Sequence, residues 1–433
     1  MQKVSFVLLG GGNRGRRYTE NLFKSFDCTI AAIAEPNEAR RNQFRDQYNI
    51  PGDRCFESYE EVLALGKIAD FAIVATQDRM HYAPTMQAIE LGYNILLEKP
   101  VAPGWEECRD ICEAAEKKGV KVLVCHVLRY TPFFRKVKQI IDSGKLGKIL
   151  SVMHLESVGY ILQSTAFVRG AWRRSDTSSD MLLAKSCHDL DLLQWLLGSK
   201  CTKIQSFGSL SHYRRENCPE GAPYRCIEGC PHSDTCAYDA TKLFLEFPKD
   251  EGGWINGNRS REETEKILRE RQLGVCVYQC DNDVVDHQVV NMEFEHGETV
   301  SFTMVSSGFG GRRIHIFGTK GELISPDMNT IELFKHCEED PASDRYRHNH
   351  REVFKAIEED VDQHITGGHG GGDMGIVYDL MEYFYDGTMT GSISDIRTSV
   401  ENHLLVFAAE ESRKNGGMTV DFTRYLEEKG PRK

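Results

Sequence analysis

The sequence predicts an α/β protein whose first part is a doubly wound parallel sheet. Three observations predict this fold: continuous apolar strand patterns, helical patterns between them, and a glycine-rich turn after the first strand. Strands are expected at residues 3–9, 28–35, 70–75, 93–97 and 120–125, with helices at about 14–25, 80–91 and 104–118. Because the strands are continuously apolar rather than alternating, the sheet is expected to be parallel and covered on both faces.

Composition narrows the classes of partner. The 433 residues allow two or three domains, and 40% hydrophobic with 27% charged residues is typical of a globular protein. With 53 Lys and Arg against 65 Asp and Glu, the formal charge is -12, so we expect that the protein binds neither nucleic acid nor a membrane. Fourteen cysteines without a secretion signal favour a reducing, cytoplasmic location.

The turn after the first strand reads GGGNRG and matches the spacing G-x-G-x-x-G through Gly10, Gly12 and Gly15. The first glycine permits a tight turn, the second lets the backbone approach a pyrophosphate, and the third allows close helix packing. The phosphates would bind the N–H groups that begin the helix, where Asn13 and Arg14 lie. A glycine-rich turn can be only a turn, but its place between a strand and a helix favours a dinucleotide site.

Glu35 closes the second predicted strand, twenty residues after Gly15. A carboxylate at this point can accept hydrogen bonds from an adenosine ribose and would repel a ribose phosphate, so NAD is favoured over NADP. Two alternatives stay open. Glu35 can simply cap the next helix, and the nearby Arg40 and Arg41 leave room for NADP.

Three further segments carry a family resemblance: LLEKPVA after the fourth strand, ATQDRMH at residues 75–81, and LLAKSCHDLDLLQWLLG at 182–198. Together with the glycine turn, they make nearly the whole chain resemble the Gfo/Idh/MocA oxidoreductases. The resemblance implies a Rossmann domain at 1–126, followed at 127–433 by an α+β domain with a large, mostly antiparallel open sheet that often builds homodimers or homotetramers. Members mostly move hydride between NAD(P) and a hydroxyl carbon of a sugar, inositol or related polyol.

The resemblance also implies roles for individual residues. It places Glu98 and Lys99 beside the nicotinamide, Lys99 as a proton-relay residue, and His188 as an acid or base on the substrate side. Thr76 and His81 match positions that line the cofactor. Oxidising an alcohol requires a group that takes the hydroxyl proton as hydride leaves, which suits a lysine at the ligand-binding end of the strands. The alternative for Lys99 is a surface lysine in a turn.

On a helix, Lys185, His188 and Asp189 lie three and four residues apart and share one face. His188 would then exchange a proton with substrate, while Lys185 binds hydroxyls or tunes His188. The alternative is a surface pair of Lys185 with Asp189 beside a satisfied histidine. Many family members have an aspartate four residues before the histidine, whereas Ala184 stands here, which leaves the proton relay open and can mark another substrate class or chemistry beyond oxidation.

Two other segments are expected to contact substrate. The first lies just past the last Rossmann strand, pointing at the domain cleft, and contains His126, Arg129 and Tyr130. The second, AFVRGAWRR, contains Arg169, Trp172 and Arg173. An aromatic ring stacks on sugar faces and guanidinium groups bind hydroxyls or carboxylates, which suits an acidic or amino sugar. Packing at the domain junction and a solvated loop are the respective alternatives.

A cysteine-rich insertion is predicted at about residues 212–275. Its thiols Cys218, Cys226, Cys230 and Cys236, with His232 as a substitute, are expected to hold a structural zinc ion, whereas an iron–sulfur cluster or unligated thiols are alternatives. The later segment GGHGGGD, residues 367–373, is either a loop that closes over ligand or a neighbouring subunit, or a linker.

These observations predict a cytoplasmic NAD-dependent oxidoreductase that acts on a carbohydrate or polyol, with Lys99 and His188 handling protons. One alternative is an NAD-retaining glycosidase that oxidises a sugar transiently, eliminates the glycosidic substituent and reduces the product again. A second is a regulator that binds dinucleotide or sugar without turnover, since one fold can host both. Retention of Glu98, Lys99 and His188 counts against the second alternative, because a pure binder needs no proton-transfer set.

Overall fold

The computed structural model describes residues 3–246, 259–336, 351–355 and 368–432. Its first sheet has six parallel strands in the order β3-β2-β1-β4-β5-β6. The strands are β1 Val4–Leu9, β2 Cys28–Ala34, β3 Cys55–Phe56, β4 Phe71–Val74, β5 Asn94–Leu97 and β6 Val122–Val124. The predicted doubly wound sheet is confirmed, and β3 is an additional edge strand whose two residues are too few to show a periodicity.

Helices cover both faces of this sheet. They are α1 Asn13–Ser25, α2 Glu38–Tyr48, α3 Tyr59–Leu63, α4 Tyr82–Glu90 and α5 Trp105–Lys118. Alternate residues of each strand enter two separate apolar layers: Phe6 and Leu8 pack in one, and Val7 and Leu9 in the other. This two-sided burial is the physical reason that the strands are continuously apolar.

Within the described residues, the second sheet has nine strands in the order β14-β13-β12-β11-β7-β10-β9-β8-β15. The strands are β7 Ile149–Ser157, β8 Cys201–Ser209, β9 His287–Phe294, β10 Thr299–Val305, β11 Gly311–Gly318, β12 Gly321–Ser325, β13 Thr330–Lys335, β14 Arg351–Lys355 and β15 Val420–Asp421. Only the pairing of β10 with β7 is parallel, and the other pairings of described strands are antiparallel. The predicted large, mostly antiparallel sheet is therefore confirmed.

Further helices pack against the second sheet, lie in the insertion, or return to the first sheet. They are α6 Pro132–Asp142, α7 Tyr160–Leu162, α8 Met181–Leu197, α9 Arg261–Glu270, α10 Gly372–Met381, α11 Ile396–Lys414 and α12 Phe422–Lys429. A π-helical segment, Gln163–Val168, continues α7. Within the described ranges, none of these helices combines the length and apolar composition that crossing a bilayer requires.

The last third of the chain returns to the first sheet. Helix α10 packs against α1 and the turn Val127–Tyr130, and α11 packs against both α5 and α8. Part of the predicted insertion, 247–258, lies outside the described residues, as does residue 367 of the glycine-rich segment. The division at 126 and 127 stays a prediction, and the structure adds that C-terminal helices cover the first sheet.

Candidate functional site

The glycine turn lies between the end of β1 and the start of α1. Gly10 has φ +102, and a Cβ built there would lie 2.4 Å from the carbonyl oxygen of Ala75. A Cβ on Gly15 would lie 2.1 Å from the carbonyl oxygen of Gly10, whereas one on Gly12 meets no described heavy atom within 4 Å. The turn is therefore closed toward the protein at Gly10 and Gly15 and open at Gly12, as a phosphate-binding turn requires.

Glu35 is buried directly beneath this turn. Its Oε2 accepts a hydrogen bond from the Gly11 N–H at 3.0 Å, and its Oε1 accepts one from the Asn37 N–H at 2.8 Å. The guanidinium of Arg40 lies 3.1 Å from Oε1. Glu35 thus holds the shape of the turn and the start of α2, and its binding of a ribose stays a prediction. Gly11 was not anticipated as its partner, since no local pattern marks a contact across 24 residues.

Arg14 connects the glycine turn to the carboxyl end of β5. Its Nε lies 2.6 Å from Glu98 Oε1, and its Nη2 lies 2.8 Å from Asp373 Oδ1. The Tyr18 hydroxyl donates to the same Glu98 oxygen at 2.6 Å, and Glu98 Oε2 accepts from the Lys99 N–H at 2.8 Å. Burial opposes ionisation, but Arg14 and Lys99 hold the pKa of Glu98 below its ordinary value. A buried, ionised carboxylate therefore stands beside the predicted nicotinamide position.

Lys99 and His188 come together where β5 meets α8. The Lys99 Nζ donates to the carbonyl oxygen of Ala184 at 2.7 Å, one helical turn before His188. His188 is buried, and its Nδ1 has no hydrogen-bond partner among the described residues. Burial, followed by the charges of Lys99 and His126, lowers the pKa of His188 well below its ordinary value. His188 is therefore a neutral imidazole one helical turn beyond the carbonyl group that the Lys99 amine binds, and its Nδ1 is enclosed as well as unpartnered.

Lys185 belongs to a compact cluster of charges between α8 and the second sheet. Its Nζ lies 2.9 Å from Glu156 Oε1, so the alternative pairing with Asp189 is wrong. Asp189 instead accepts two hydrogen bonds from the guanidinium group of Arg312, at 2.6 and 3.0 Å, and its Oδ1 lies 2.8 Å from His154 Nε2. Arg312, with support from His154, lowers the pKa of Asp189 despite its burial.

The sequence reasoning missed Glu156 and Arg312. A signal for Glu156 exists in β7, where Val152, His154 and Glu156 are buried at alternate positions. A carboxylate in phase with the buried side chains of a strand must find a cation inside the protein. The sequence of β11 gives no comparable signal for Arg312. Two arginines, Arg312 and Arg313, stand side by side at the start of this strand, and the alternating pattern does not show which of them points into the protein.

Thr76 and His81 shape the loop after β4. His81 Nδ1 lies 2.6 Å from the Pro100 carbonyl oxygen, its Nε2 lies 3.2 Å from the Thr76 carbonyl oxygen, and the Thr76 hydroxyl donates to Met80. Both therefore stand beside the segment that follows Lys99, at the cofactor end of the sheet. Their contact with a cofactor stays a prediction.

Trp172 reaches the same loop from the second part of the chain. Its indole N–H donates to Asp78 Oδ2 at 3.2 Å, and the Ser179 hydroxyl donates to the same oxygen at 3.0 Å. Trp172 remains 40% exposed, so its ring face is still available to a ligand. Asp78 is another residue that the sequence reasoning missed.

Four histidines form a row that runs into the protein from the cleft. Their ring centroids are 6.3 Å apart between His369 and His188, 5.7 Å between His188 and His126, and 5.4 Å between His126 and His403. Burial lowers the pKa of His126 to about 4 and that of His403 to about 3. His126 is thus placed beside His188 as predicted for the cleft, but it is fully buried and its two ring nitrogens have no described hydrogen-bond partner.

The other predicted substrate residues are bound inside the protein. Arg129 forms two hydrogen bonds of 2.7 Å with Asp191, and the Tyr130 hydroxyl accepts from the Ser394 N–H at 3.2 Å. These contacts match the alternative of packing at the domain junction. Arg129 and Tyr130 are both buried, so their placement corrects the expectation that they face the cleft.

Two of the three arginines of AFVRGAWRR, Arg169 and Arg173, are bound to other parts of the protein. Arg169 is 1% exposed and donates to the carbonyl oxygens of Val275 at 2.7 Å and Tyr238 at 2.8 Å, so it anchors the cysteine-rich insertion. Arg173 forms a partly exposed ion pair with Asp281 at 2.7 Å. The guanidinium groups of Arg169 and Arg173, which were expected to bind an acidic sugar, are therefore already bound to other parts of the protein.

The thiols of the insertion gather around one small cavity, which is lined by Cys226, Cys230, Cys236, His232 and Cys276 together with Arg169. Cys218 instead accepts a hydrogen bond from Gln279 at 3.5 Å. Among the residues that the structure describes, no three His, Cys, Asp or Glu side chains are arranged so that they could hold a metal ion. The arrangement therefore does not fit the predicted zinc site.

Comparisons with known proteins agree with this architecture. The description "Oxidoreductase family, NAD-binding Rossmann fold" fits residues 4–126, and "GFO/IDH/MocA C-terminal domain" fits residues 134–324. The chain belongs to the Gfo/Idh/MocA family. This Gfo/Idh/MocA protein accordingly carries a Rossmann fold of the NAD-binding type followed by the C-terminal domain of that family.

Three similar proteins illustrate the range of this family. The putative oxidoreductase YteT of Bacillus subtilis strain 168 is 24% identical over 377 residues, which is 83% of each chain. A 2,7-anhydro-N-acetylneuraminate hydratase of Mediterraneibacter gnavus is 25% identical over 214 residues, covering 49% of this chain and 54% of its own. The structure of an inositol dehydrogenase homolog from Azotobacter vinelandii complexed with NAD+ superposes with TM-score 0.68 at 16% identity, covering 97% of both chains. At this identity the last similarity shows the fold alone.

Proposed function

We propose that this protein is an NAD-dependent oxidoreductase that transfers hydride between nicotinamide and a hydroxyl carbon of a sugar, inositol or related polyol. The observation that carries the proposal is that the Lys99 amine, at the carboxyl end of β5, bonds the Ala184 carbonyl oxygen of α8 one helical turn before the neutral imidazole of His188. In doubly wound sheets this edge is where ligands bind. The open face of the glycine turn at Gly12 supports a dinucleotide on the same edge.

The proposed roles follow from the atoms available in the cleft. When bound, NAD accepts or returns the hydride at its nicotinamide ring. In its unprotonated form, the Lys99 amine takes the proton of the reacting hydroxyl, and the neutral imidazole of His188 accepts a hydrogen bond from the substrate. The ionised Glu98 orients Lys99 through its backbone N–H. Glu35 favours NAD over NADP, because a second anion at the ribose would meet a buried carboxylate.

The charges of the cleft favour a neutral substrate over an acidic one. Arg14 is already bound to Glu98 and Asp373, and Arg312 is bound to Asp189 and Glu156. The predicted acidic or amino sugar depended on arginines that the structure places elsewhere. A hydroxyl-rich, uncharged ligand therefore matches the hydrogen-bonding groups of Lys99 and His188.

A redox-neutral reaction is a second candidate function. Ala184 supplies only a backbone carbonyl where many family members have an aspartate, so the proton path around Lys99 differs from that pattern. The relative from Mediterraneibacter gnavus is named a hydratase, and hydration involves no net oxidation. The NAD-retaining glycosidase mechanism belongs to the same class, in which the cofactor is reduced and reoxidised within one turnover.

One assay separates these functions. Purified protein is incubated with NAD+ or NADP+ and a panel containing myo-inositol, neutral hexoses, their aryl glycosides and 2,7-anhydro-N-acetylneuraminate. Steady growth of absorbance by reduced cofactor identifies a dehydrogenase, product without net cofactor change identifies the redox-neutral reaction, and cofactor binding without product identifies a regulator. Lys99→Met should lower turnover by roughly 10²–10⁴-fold. The matched control is Lys117→Met on the exposed last turn of α5, which should leave turnover unchanged.

We also propose that the protein is a cytoplasmic homodimer or homotetramer. The thirteen cysteines in the described part of the chain are free thiols, which suits a reducing compartment. The outward face of the second sheet exposes Met153 and Phe207, whose apolar area a partner subunit would cover. Light scattering coupled to size-exclusion chromatography tests the assembly, and a monomer at micromolar concentration would contradict it.

A further inference from the structure

The inner side of the His188 ring is a feature that the proposed reaction leaves unexplained. Of its two ring nitrogens, only Nδ1 is enclosed without a hydrogen-bond partner among the described residues, which leaves Nε2 for the cleft. One helical turn earlier stands Ala184, whose methyl group offers no hydrogen bond. A neutral imidazole accepts a hydrogen bond at one nitrogen only while its proton stays on the other, and a neighbouring acceptor normally holds the proton there. The interior around Nδ1 must therefore supply that acceptor.

The two aspartates that follow His188 in α8 are already bound to other groups. Asp189 accepts hydrogen bonds from Arg312 at 2.6 and 3.0 Å, and Asp191 accepts two from Arg129, both at 2.7 Å. A carboxylate that holds a guanidinium group through both oxygens is fixed in its orientation. The acceptor for His188 is therefore a group other than these two carboxylates.

His126 is the polar side chain that packs against His188 from the interior. The two ring centroids are 5.7 Å apart and the ring planes are 87° apart. His126 is fully buried, and neither of its ring nitrogens has a hydrogen-bond partner in the described part of the chain. The next ring of the row, His403, is already satisfied, because its Nε2 accepts from the Val101 N–H and its Nδ1 lies 2.7 Å from the Ser399 carbonyl oxygen. The nitrogens that need partners are therefore those of His126 and the Nδ1 of His188.

An imidazole at position 126 is not explained by apolar packing. A buried nitrogen without a hydrogen bond is costly, so such groups are nearly always paired with protein atoms or with ordered water. Rings with centroids 5.7 Å apart leave their nitrogens beyond the about 3 Å of a direct N–H···N bond. One buried water molecule, which needs at least two polar partners, satisfies a nitrogen of each ring.

Asp191 decides which nitrogen of His126 is the acceptor. Its Oδ2 lies 3.8 Å from His126 Nδ1, too far for a hydrogen bond but close enough to attract the ring proton to Nδ1. Nε2 of His126 is then left without a proton. The arrangement runs from a buried carboxylate through one imidazole toward the inner nitrogen of the next.

We propose that His126 is a positioning residue for His188, and that one buried water molecule joins the Nδ1 of His188 to the Nε2 of His126. The His188 Nδ1–H donates to the water, and the water donates to His126. His188 therefore turns an unprotonated Nε2 to the cleft, the form that accepts a hydrogen bond from substrate. The proposal rests on the proposed function for the role of His188. Both rings stay neutral, in agreement with the lowered pKa of each.

NMR of the histidine rings measures the tautomer directly. Protein labelled with ¹⁵N in its histidine rings and saturated with NAD is studied at pH 7 without substrate, and His188→Asn identifies the signals of His188. Wild-type His188 should be the Nδ1–H tautomer. His126→Phe removes the acceptor behind the water and should move His188 toward the Nε2–H tautomer, whereas His126→Gln keeps an acceptor and should preserve Nδ1–H. His296→Phe, in the exposed turn between β9 and β10, is the matched control.

Kinetics on any compound of the panel that is turned over give a second readout. His126→Phe should lower kcat by about tenfold, because the Nε2 of His188 is no longer held without a proton, while KM for NAD changes less than about twofold. His126→Gln should recover most of this loss. Equal kcat in wild type and His126→Phe overturns the proposal, as does a low kcat in both variants with an unchanged tautomer.

Two measurements on the wild type test the proposal without any replacement of His126. An Nε2–H tautomer of His188, or a crystal structure of the NAD complex in which no water joins the two rings, overturns it. Because the tautomer is measured without substrate, it decides this proposal even where no compound is turned over. Such a lack of turnover, together with an Nδ1–H tautomer that depends on His126, contradicts the proposed function alone.

Discussion

The three buried histidines of the histidine row, His126, His188 and His403, make the stability of this protein sensitive to mild acid. The pKa of His126 falls to about 4 and that of His403 to about 3, against an ordinary value of 6.5. Below about pH 6.5 the unfolded chain therefore binds protons that these two folded imidazoles do not bind. Their contribution is fully present above pH 6.5 and is lost as the pH falls toward the folded values.

The size of the stability loss follows from the difference between the ordinary histidine pKa and the pH of the measurement. At pH 5, about 1.5 units below the ordinary value, each imidazole lowers the free energy of unfolding by about 2 kcal/mol, or about 4 kcal/mol for the two. His188, whose pKa is also lowered, adds to the loss. Carboxylates with lowered pKa, such as Asp191, contribute mainly below about pH 4, so the histidines dominate between pH 7 and pH 5.

Urea unfolding at pH 7, 6 and 5, followed by tryptophan fluorescence, measures this dependence. His126 is the side chain to replace, because its ring nitrogens have no described hydrogen-bond partner to lose. His126→Phe keeps an aromatic ring and should remove about 2 kcal/mol of the loss between pH 7 and pH 5. His296→Phe at an exposed position should leave the dependence as in the wild type. Equal acid sensitivity in the wild type and in His126→Phe would refute the assignment of a buried, neutral His126.

Two further predictions concern the cofactor end of the first sheet. Gly12→Ala should fold normally but weaken NAD binding by roughly tenfold or more, because the added methyl group occupies the open face of the turn. Gly15→Ala should weaken binding and also lower the melting temperature, because its Cβ would lie 2.1 Å from the Gly10 carbonyl oxygen. Calorimetry and thermal unfolding check the pair, and equal effects of the two variants would argue against a phosphate at Gly12. Arg14→Leu should cost about 3 kcal/mol of unfolding free energy by leaving buried carboxylates without a cation, and an unchanged urea midpoint would show that Arg14 is dispensable for stability.

Short-range patterns in the sequence predict most of the fold. The apolar strands β1, β4 and β5 are buried on both faces. A continuous apolar run of this kind is typical of a parallel sheet with helices on each side, so it predicts the fold without knowledge of the strand register. The glycine turn is also predictable from a short sequence pattern. A Cβ at Gly10 would lie 2.4 Å from the Ala75 carbonyl oxygen, so residues other than glycine do not fit at this position. Strand β3 escapes such reasoning because two residues define no period.

The sequence by itself determined the candidate residues: local spacing marks the glycine turn around Gly12, and the family resemblance supplies the roles predicted for Lys99 and His188. Only the tertiary structure decided which charges pair: Arg14 binds Glu98 and Asp373, which lie 84 and 359 residues away. Such pairs form wherever chain topology removes ions of opposite sign from water together, and no local pattern records that choice. Chain topology likewise decided that His369 lies beside His188, with ring centroids 6.3 Å apart, although the two segments are distant in the chain.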